Sequence, residues 1–419
     1  MIINPANKTQ KQDKKYGIPL FILLVVILLV SPETVMFGTN RNTFFSILTT
    51  LMPVGLVFYL FEKKNSIIQT RYKFSGVVTA FVIPVFLSAI INLDFSLTYF
   101  VRIVLITAGF MFARKIRLGD FLKVFELIIF YIAIYSIVIY TLSRLFPQIL
   151  NIFPPLYSIK DLHYYNAFFC VIPSFLNGDW FDRLWGPFRE PGVFQMYLNM
   201  ALLFYIYLNK KLSVSRAIVY VVAIILTQST TGYIVLSFNL LYYVFYVLKR
   251  FSFQSCIIVA LLLGGFIWLN DSSTLLLTEG KVFYKLTDEG IDASVARFAS
   301  VWGNIEIFGH NPITGVGYSQ INEHFSSFCA LNWGERGIDN TNTILYQFAS
   351  LGVVYGGLFL FSFITFFKKF GNNFITSSFS VIGALLSFMG ENITGSIIVY
   401  IILGYGVQYY LMAPPKARL

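Results

Sequence analysis

Long apolar stretches, separated by short polar and mostly basic connections, run through almost the whole chain. A bilayer core of about 30 Å takes roughly 20 apolar residues as a helix. Twelve stretches approach that length: 18–37, 42–61, 74–91, 97–113, 121–142, 193–208, 212–228, 231–248, 254–270, 342–367, 374–389 and 393–412. The first has no small-residue cleavage site and further spans follow it, so it is expected to be a span rather than a signal peptide. Most connections are short, but two are long, at about 143–192 and 271–341. The pattern predicts an all-α polytopic membrane protein of about 12 transmembrane helices. Five regions follow: helices one to five over 1–142, a first extracytoplasmic loop over 143–192, helices six to nine over 193–270, a second loop over 271–341, and helices ten to twelve with a cytoplasmic tail over 342–419. Both long loops are expected to contain short interfacial helices.

Composition agrees. Of 419 residues, 57% are apolar and only 12% charged, and the mean hydropathy is +0.70. A soluble fold would leave too much of this surface facing water. A disordered chain and a disulfide-framed secreted domain are excluded as well.

The net charge of +11 raises the question of nucleic acid, and the placement of the charges answers it. With the N-terminus inside, alternate connections carry 21 of the 31 Lys and Arg, against four acids: Asp13, Glu62, Asp120 and Glu126. Cytoplasmic loops collect basic residues in this way. Twelve spans with both ends cytoplasmic are therefore expected, with no nucleic-acid partner.

The remaining basic residues concentrate in the two long outside loops, where polytopic proteins tend to carry function. In the first, an apolar run at 166–176 is too short to span and suggests a re-entrant or interfacial segment. It is followed by Trp180, Phe181, Arg183, Trp185, Phe188, Arg189 and Glu190, with Pro191–Gly192 marking the turn into the next helix. The aromatic residues suit an interfacial belt. In the second loop, Val295, Phe298, Trp302 and Ile305 recur at helical spacing with Arg297 and Asn304 off the stripe, as in a helix lying on the outer leaflet. Gly315–Val316–Gly317 follows a turn, and such backbone can present N–H groups to an anion. His324, Arg336, Asp339 and Asn340 precede the tenth span.

Within the spans, Arg102 sits about 8 Å from the outer end of its helix, where it either snorkels, pairs with Asp94 or lines the cavity of the loop arginines. Glu126 is expected at the cytoplasmic interface. Gln228–Gly232 and Glu391–Asn392 join spans at the outer face and are candidates to share a cavity there. Cys170 and Cys329 both fall in outside loops, so one disulfide is possible. His163, His310 and His324 lack metal-ligand spacing. There is no GxxxxGK[ST] and no Asp-x-Asp, so no metal site and no nucleotide loop are expected.

The arrangement resembles the superfamily of bacterial O-antigen ligases and Wzy-type oligosaccharide repeat-unit polymerases. Three motifs carry the resemblance. Arg183 to Pro191 looks like that family's Arg…Gly-x-Phe…Glu-Pro lead-in to a span. Arg297, Trp302, Asn311–Pro312 and Gly315–Gly317 look like its Arg-helix and Pro–Gly turn. Asp339–Asn340–Thr341–Asn342, with Leu345 and Gly352, is similar to the ligase pattern His-Asn-x-x-Leu with a Gly seven residues on. Thr341 stands at the His position, and the Asp-Asn start looks more like the polymerase branch.

The resemblance implies a metal-independent glycosyltransferase of the bacterial cytoplasmic membrane, needing no cofactor. Donor and acceptor would be undecaprenyl-pyrophosphate-linked oligosaccharides, with the bilayer and a chain-length regulator protein as further partners. The residue types suit that chemistry. Guanidinium forks hold phosphate and stay charged, and fixed cations stabilise charge growing on a leaving diphosphate. Arg183, Arg189 and Arg297, then Arg336, are the expected pyrophosphate ligands. Glu190, Asp339 and His310 are the candidate bases for the acceptor hydroxyl. Two alternatives stay open: a ligase moving glycan to another acceptor, and a flippase or other transporter of lipid-linked oligosaccharide.

Overall fold

The computed structural model describes residues 17–35, 51–56, 59, 74–157, 163–174, 183–248, 291–334 and 338–412. Its helices are α1 (Gly17–Leu29), α2 (Phe74–Ile91), α3 (Leu97–Lys115), α4 (Leu118–Leu145), α5 (Pro191–Asn209), α6 (Val214–Leu226), α7 (Thr230–Tyr243, continued by a π turn to Leu248), α8 (Ile291–His310), α9 (Ile321–Trp333), α10 (Thr343–Lys368), α11 (Phe374–Met389) and α12 (Ile397–Met412). Six of these are long and apolar enough to cross a membrane: α2, α3, α4, α5, α7 with its π turn, and α10. α1, α6, α11 and α12 are apolar but shorter. Each of these ten coincides with one of the twelve apolar stretches of the sequence. The stretch 254–270 and most of 42–61 lie outside the described residues.

Helix α5 is the axis of the bundle. It is buried continuously from Pro191 to Ile206, as expected for a helix apolar on every face, and packs against α4, α6 and α7. By contrast, α2 presents Ile83, Phe86, Ile90 and Ile91 outward, each about half exposed, the surface expected of a lipid-facing helix. α3 and α12 approach closely: a Cβ on Gly109 would lie 2.5 Å from Tyr400, the small-residue contact that membrane helices favour.

The first long loop departs from an all-α fold. After a 3₁₀ turn at Pro147–Ile152 it forms a three-stranded antiparallel sheet, β1 (Pro155–Tyr157), β2 (His163–Asn166) and β3 (Val171–Ser174). The described part of that run, 166–174, is thus the end of β2, a tight turn and β3, and not a re-entrant segment. Its turn is closed by paired Ala167 and Cys170 backbone bonds of 2.9 and 3.3 Å. Cys170 and Cys329 are both free and buried.

The second loop is helical. α8 leaves Phe298, Trp302 and Ile305 exposed and buries Ala299, Ser300, Asn304 and Ile307. The apolar stripe therefore faces away from the protein, in keeping with an interfacial helix. The chain after α8 plugs into α10. At Gly352 that helix breaks (φ 77°, ψ −175°), a backbone region open essentially to glycine alone. Val353 N–H bonds to Pro312 O at 2.8 Å, and Val316 and Gly317 N–H bond to Ala349 and Ser350 carbonyls at 3.0 Å. Those glycine-loop donors are spent inside the fold and do not serve an anion.

Candidate functional site

Four separate segments meet at the start of α5. The chain from Arg183 to Glu190 is tied down along its length. Leu184 N–H donates to Leu226 O at 2.8 Å, Val35 N–H to Pro187 O at 3.0 Å, and Arg189 N–H to Glu33 O at 2.8 Å. Trp185 and Phe188 are buried, Phe188 stacking on Tyr197 with centroids 4.6 Å apart. These two residues are structural pins rather than members of an interfacial belt. Trp180 and Phe181 lie outside the described residues.

Arg183 donates from Nε to Thr227 O at 3.0 Å and from Nη2 to Gln228 O at 3.2 Å. These carbonyls close α6, the end of a helix that favours a cation. Arg189 donates from Nη2 to Asn392 O at 2.9 Å. Arg297 comes from the first half of α8, half-buried. Its helix is laced to the start of α10 by a reciprocal Asn304–Asn340 amide pair, both bonds 2.9 Å, and by Thr341 N–H to Ser300 Oγ at 2.9 Å. The 390–396 turn joins the same assembly. Thr343 Oγ1 donates to Glu391 O and accepts from Ile393 N–H at 2.9 Å, while Asn392 Nδ2 donates to Asn340 O at 3.2 Å.

This framework gathers Arg183, Arg189, Arg297, Glu190 and Glu391 into one electrostatic cluster. All four of the others act on Glu391. Burial, reinforced by the neighbouring Glu190 charge, pushes Glu391 to about 8 against the pull of the three guanidiniums. Burial and the charge of Arg297 bring Arg183 down to about 10, so it is still a cation at neutral pH. Glu190 caps α5 by position, half-buried, without a side-chain capping bond. Glu391 lies against the first turn of α5: a Cβ on Gly192 would sit 1.7 Å from its Oε1. Glu33 adds a further buried carboxyl facing Arg189, raised to about 7 by burial and partly restrained by that arginine.

Compared with models of protein families, with curated proteins and with solved structures, the chain matches none. The chemistry open to the cluster therefore follows from its own residues. Two guanidiniums held by backbone carbonyls, a third from α8 and a helix N-terminus are groups that suit an oxyanion.

The other candidates are placed differently. His310 is exposed at the far end of α8, thirteen residues and roughly 20 Å along the axis from Arg297; it does not join the cluster. Asp339 is exposed beside α8, its carbonyl accepting from Ser300 Oγ at 3.3 Å. Arg336 lies outside the described residues. Among the described residues no group of three His, Cys, Asp or Glu could hold a metal ion.

Arg102 neither snorkels nor pairs with Asp94. It is buried, donates from Nη1 to Thr394 O and to Tyr400 Oη, and lies over the Tyr318 ring at 4.7 Å. Asp94 instead accepts from the backbone of Ser319 at 2.8 Å and of Ser96 at 3.2 Å. Glu126, expected at an interface, is buried in an ion pair with Arg216 and accepts from Tyr220 Oη at 2.9 Å.

Glu33 and the role of Glu391 escaped the sequence reading. The one available signal was position: Glu391 follows an apolar stretch, and Glu33 lies near the expected outer end of one.

Proposed function

We propose that this protein polymerises polyprenyl-pyrophosphate-linked oligosaccharide repeat units at the outer face of the bacterial cytoplasmic membrane. One observation supports the reading: Arg183, Arg189 and Arg297, from two segments far apart in sequence, all act electrostatically on Glu391, a buried carboxyl group that lies against the first turn of α5. In the proposed reaction the acceptor hydroxyl attacks the anomeric carbon of the donor. The C–O bond to the diphosphate breaks and its electron pair stays on the leaving group. Arg183 and Arg189, already held by backbone carbonyls, would stabilise that growing charge with little reorganisation, with Arg297 beside them. Glu190, inside the cluster, is the preferred acceptor of the hydroxyl proton, with Asp339 next. The donor's own diphosphate supplies the driving force. A chain-length regulator is the proposed protein partner.

One observation favours this over a ligase. Thr341, at the position of the ligase histidine, is committed to structure, its N–H and hydroxyl both within hydrogen-bond reach of Ser300 Oγ at 2.9 and 3.2 Å.

The test is chain length. With Arg297→Ala, long-chain polysaccharide is expected to vanish while single repeat units persist on the lipid carrier. Pure wild-type protein given a lipid-linked repeat unit is expected to extend it. Unaltered polymer from the variant would refute the reading, as would transport of the donor into liposomes without growth.

A further inference from the structure

We infer that Glu391 is the internal stand-in for a diphosphate: its carboxyl group fills a site, at the first turn of α5 within reach of the charge of three arginines, that the ligand takes over when it binds. The inference rests on the glycan-transfer reading only for the ligand's identity.

Three features of the turn support it. The α5 start has Pro191, which tolerates the first helical turn, followed by Gly192, whose missing side chain leaves room for an oxygen against the backbone. Such glycine-opened helix starts admit phosphate closely. The oxygen found there belongs to Glu391, a side chain 3% exposed. Among the described residues no side-chain hydrogen bond to its carboxyl group is seen, so its displacement breaks none of those bonds.

The titratable and charged neighbours are Arg183, Arg189 and Glu190 from the segment before α5, and Arg297 from α8. Beyond them, Tyr233 of α7 faces Arg183, and Glu33 of the turn after α1 faces Arg189. An arriving diphosphate adds negative charge to a pocket that already holds two glutamates. The ionised form of Glu391 competes with it for the same cations, and the protonated form does not. Diphosphate binding and protonation of Glu391 are then linked, each favouring the other.

The experiment uses the purified full chain in detergent and follows binding of inorganic pyrophosphate in one arm and farnesyl diphosphate in the other, by calorimetry. Wild type is compared with Glu391→Gln at each pH, so that ionisation of the probe itself cancels in the ratio. Near pH 6.5 the two proteins should bind alike. Near pH 9 the Gln variant should bind about tenfold more tightly, because only about a tenth of wild type is then protonated. A ratio that does not change with pH, or a variant that binds more weakly, overturns the inference. Gly192→Ala, which fills the notch, should abolish binding of both probes. Tighter binding of farnesyl diphosphate assigns the site to a lipid-borne ligand, and equal binding assigns it to the free anion. Failure of the polymerase reading looks different: the pH-dependent ratio would be present in a wild type that never extends a lipid-linked repeat unit.

Discussion

Glu391 and Gly192, almost 200 residues apart in the chain, are interlocked: the carboxylate fills the volume where any side chain on the glycine would stand, 1.7 Å from a Cβ to Oε1 and 2.7 Å to Cδ. Gly192→Ala should therefore displace Glu391 and strain the 390–396 turn. Overpacking of this kind costs about 1–3 kcal/mol. The expected outcome is a folded protein of lowered melting temperature, with polymer formation down at least about tenfold, scored by thermal melting and polysaccharide gels.

Glu33 should make stability fall as pH rises. In the folded protein its carboxyl titrates at about 7, against an ordinary value of 4.5, because burial penalises the charge more than Arg189 relieves it. Between these values the folded state holds a proton that the unfolded state has lost. Its contribution to stability is thus full below about pH 4.5, declines up to about pH 7 and is level above. Glu33→Gln should remove this share of the pH dependence, leaving that of Glu391, which titrates at about 8, and raise stability at about pH 8 by no more than about 3 kcal/mol. Melting curves of the two proteins across the range check it, and a stability difference that does not change between about pH 4.5 and 7 would assign the effect elsewhere.

The pair of buried Glu126 and half-buried Arg216 predicts a non-additive mutant cycle. Glu126→Ala leaves a guanidinium that also lies over Phe130 at 3.8 Å, and should cost about 1–3 kcal/mol. The double variant with Arg216→Ala should recover much of that loss. Additive losses would show that the pair is not coupled.

Gly352→Ala should be among the most damaging single changes. Its φ of 77° excludes ordinary side chains, and a Cβ would lie 2.0 Å from Ile313 O. A loss of at least about 2 kcal/mol is expected, read as reduced yield of folded protein in the membrane. Gly357→Ala, a few residues on, has nothing within 4 Å of its Cβ and should be silent.

Much of this architecture was legible from one-dimensional patterns. Apolar length and the Pro191–Gly192 signal locate α5 closely, and helical spacing finds α8 together with its outward stripe of Phe298, Trp302 and Ile305. These features depend on neighbours within a few residues. The sheet at 155–174 was not legible, because strands of three or four residues carry too short a pattern and rely on pairing across a hairpin. α9 was missed for a similar reason: only Ile321, Phe325, Phe328 and Cys329 are buried along it, and polar residues break up the rest. Within the site, the arginines were identifiable by residue type and place. Their carboxylate partner was not, since Glu391 is brought to Gly192 by contacts that span half the chain. Gly315–Gly317 illustrates the opposite error. Its donors looked available in sequence, yet α10 consumes them.

The break in α10 also constrains how the protein can move. The 312–317 segment is threaded into that break while the middle of α8, at Ser300 and Asn304, is laced to residues 340–341, so α8 and the chain that follows it are fastened to one rod at two points. On the proposed reading, clamping α8 to α10 with a covalent tether should leave turnover intact.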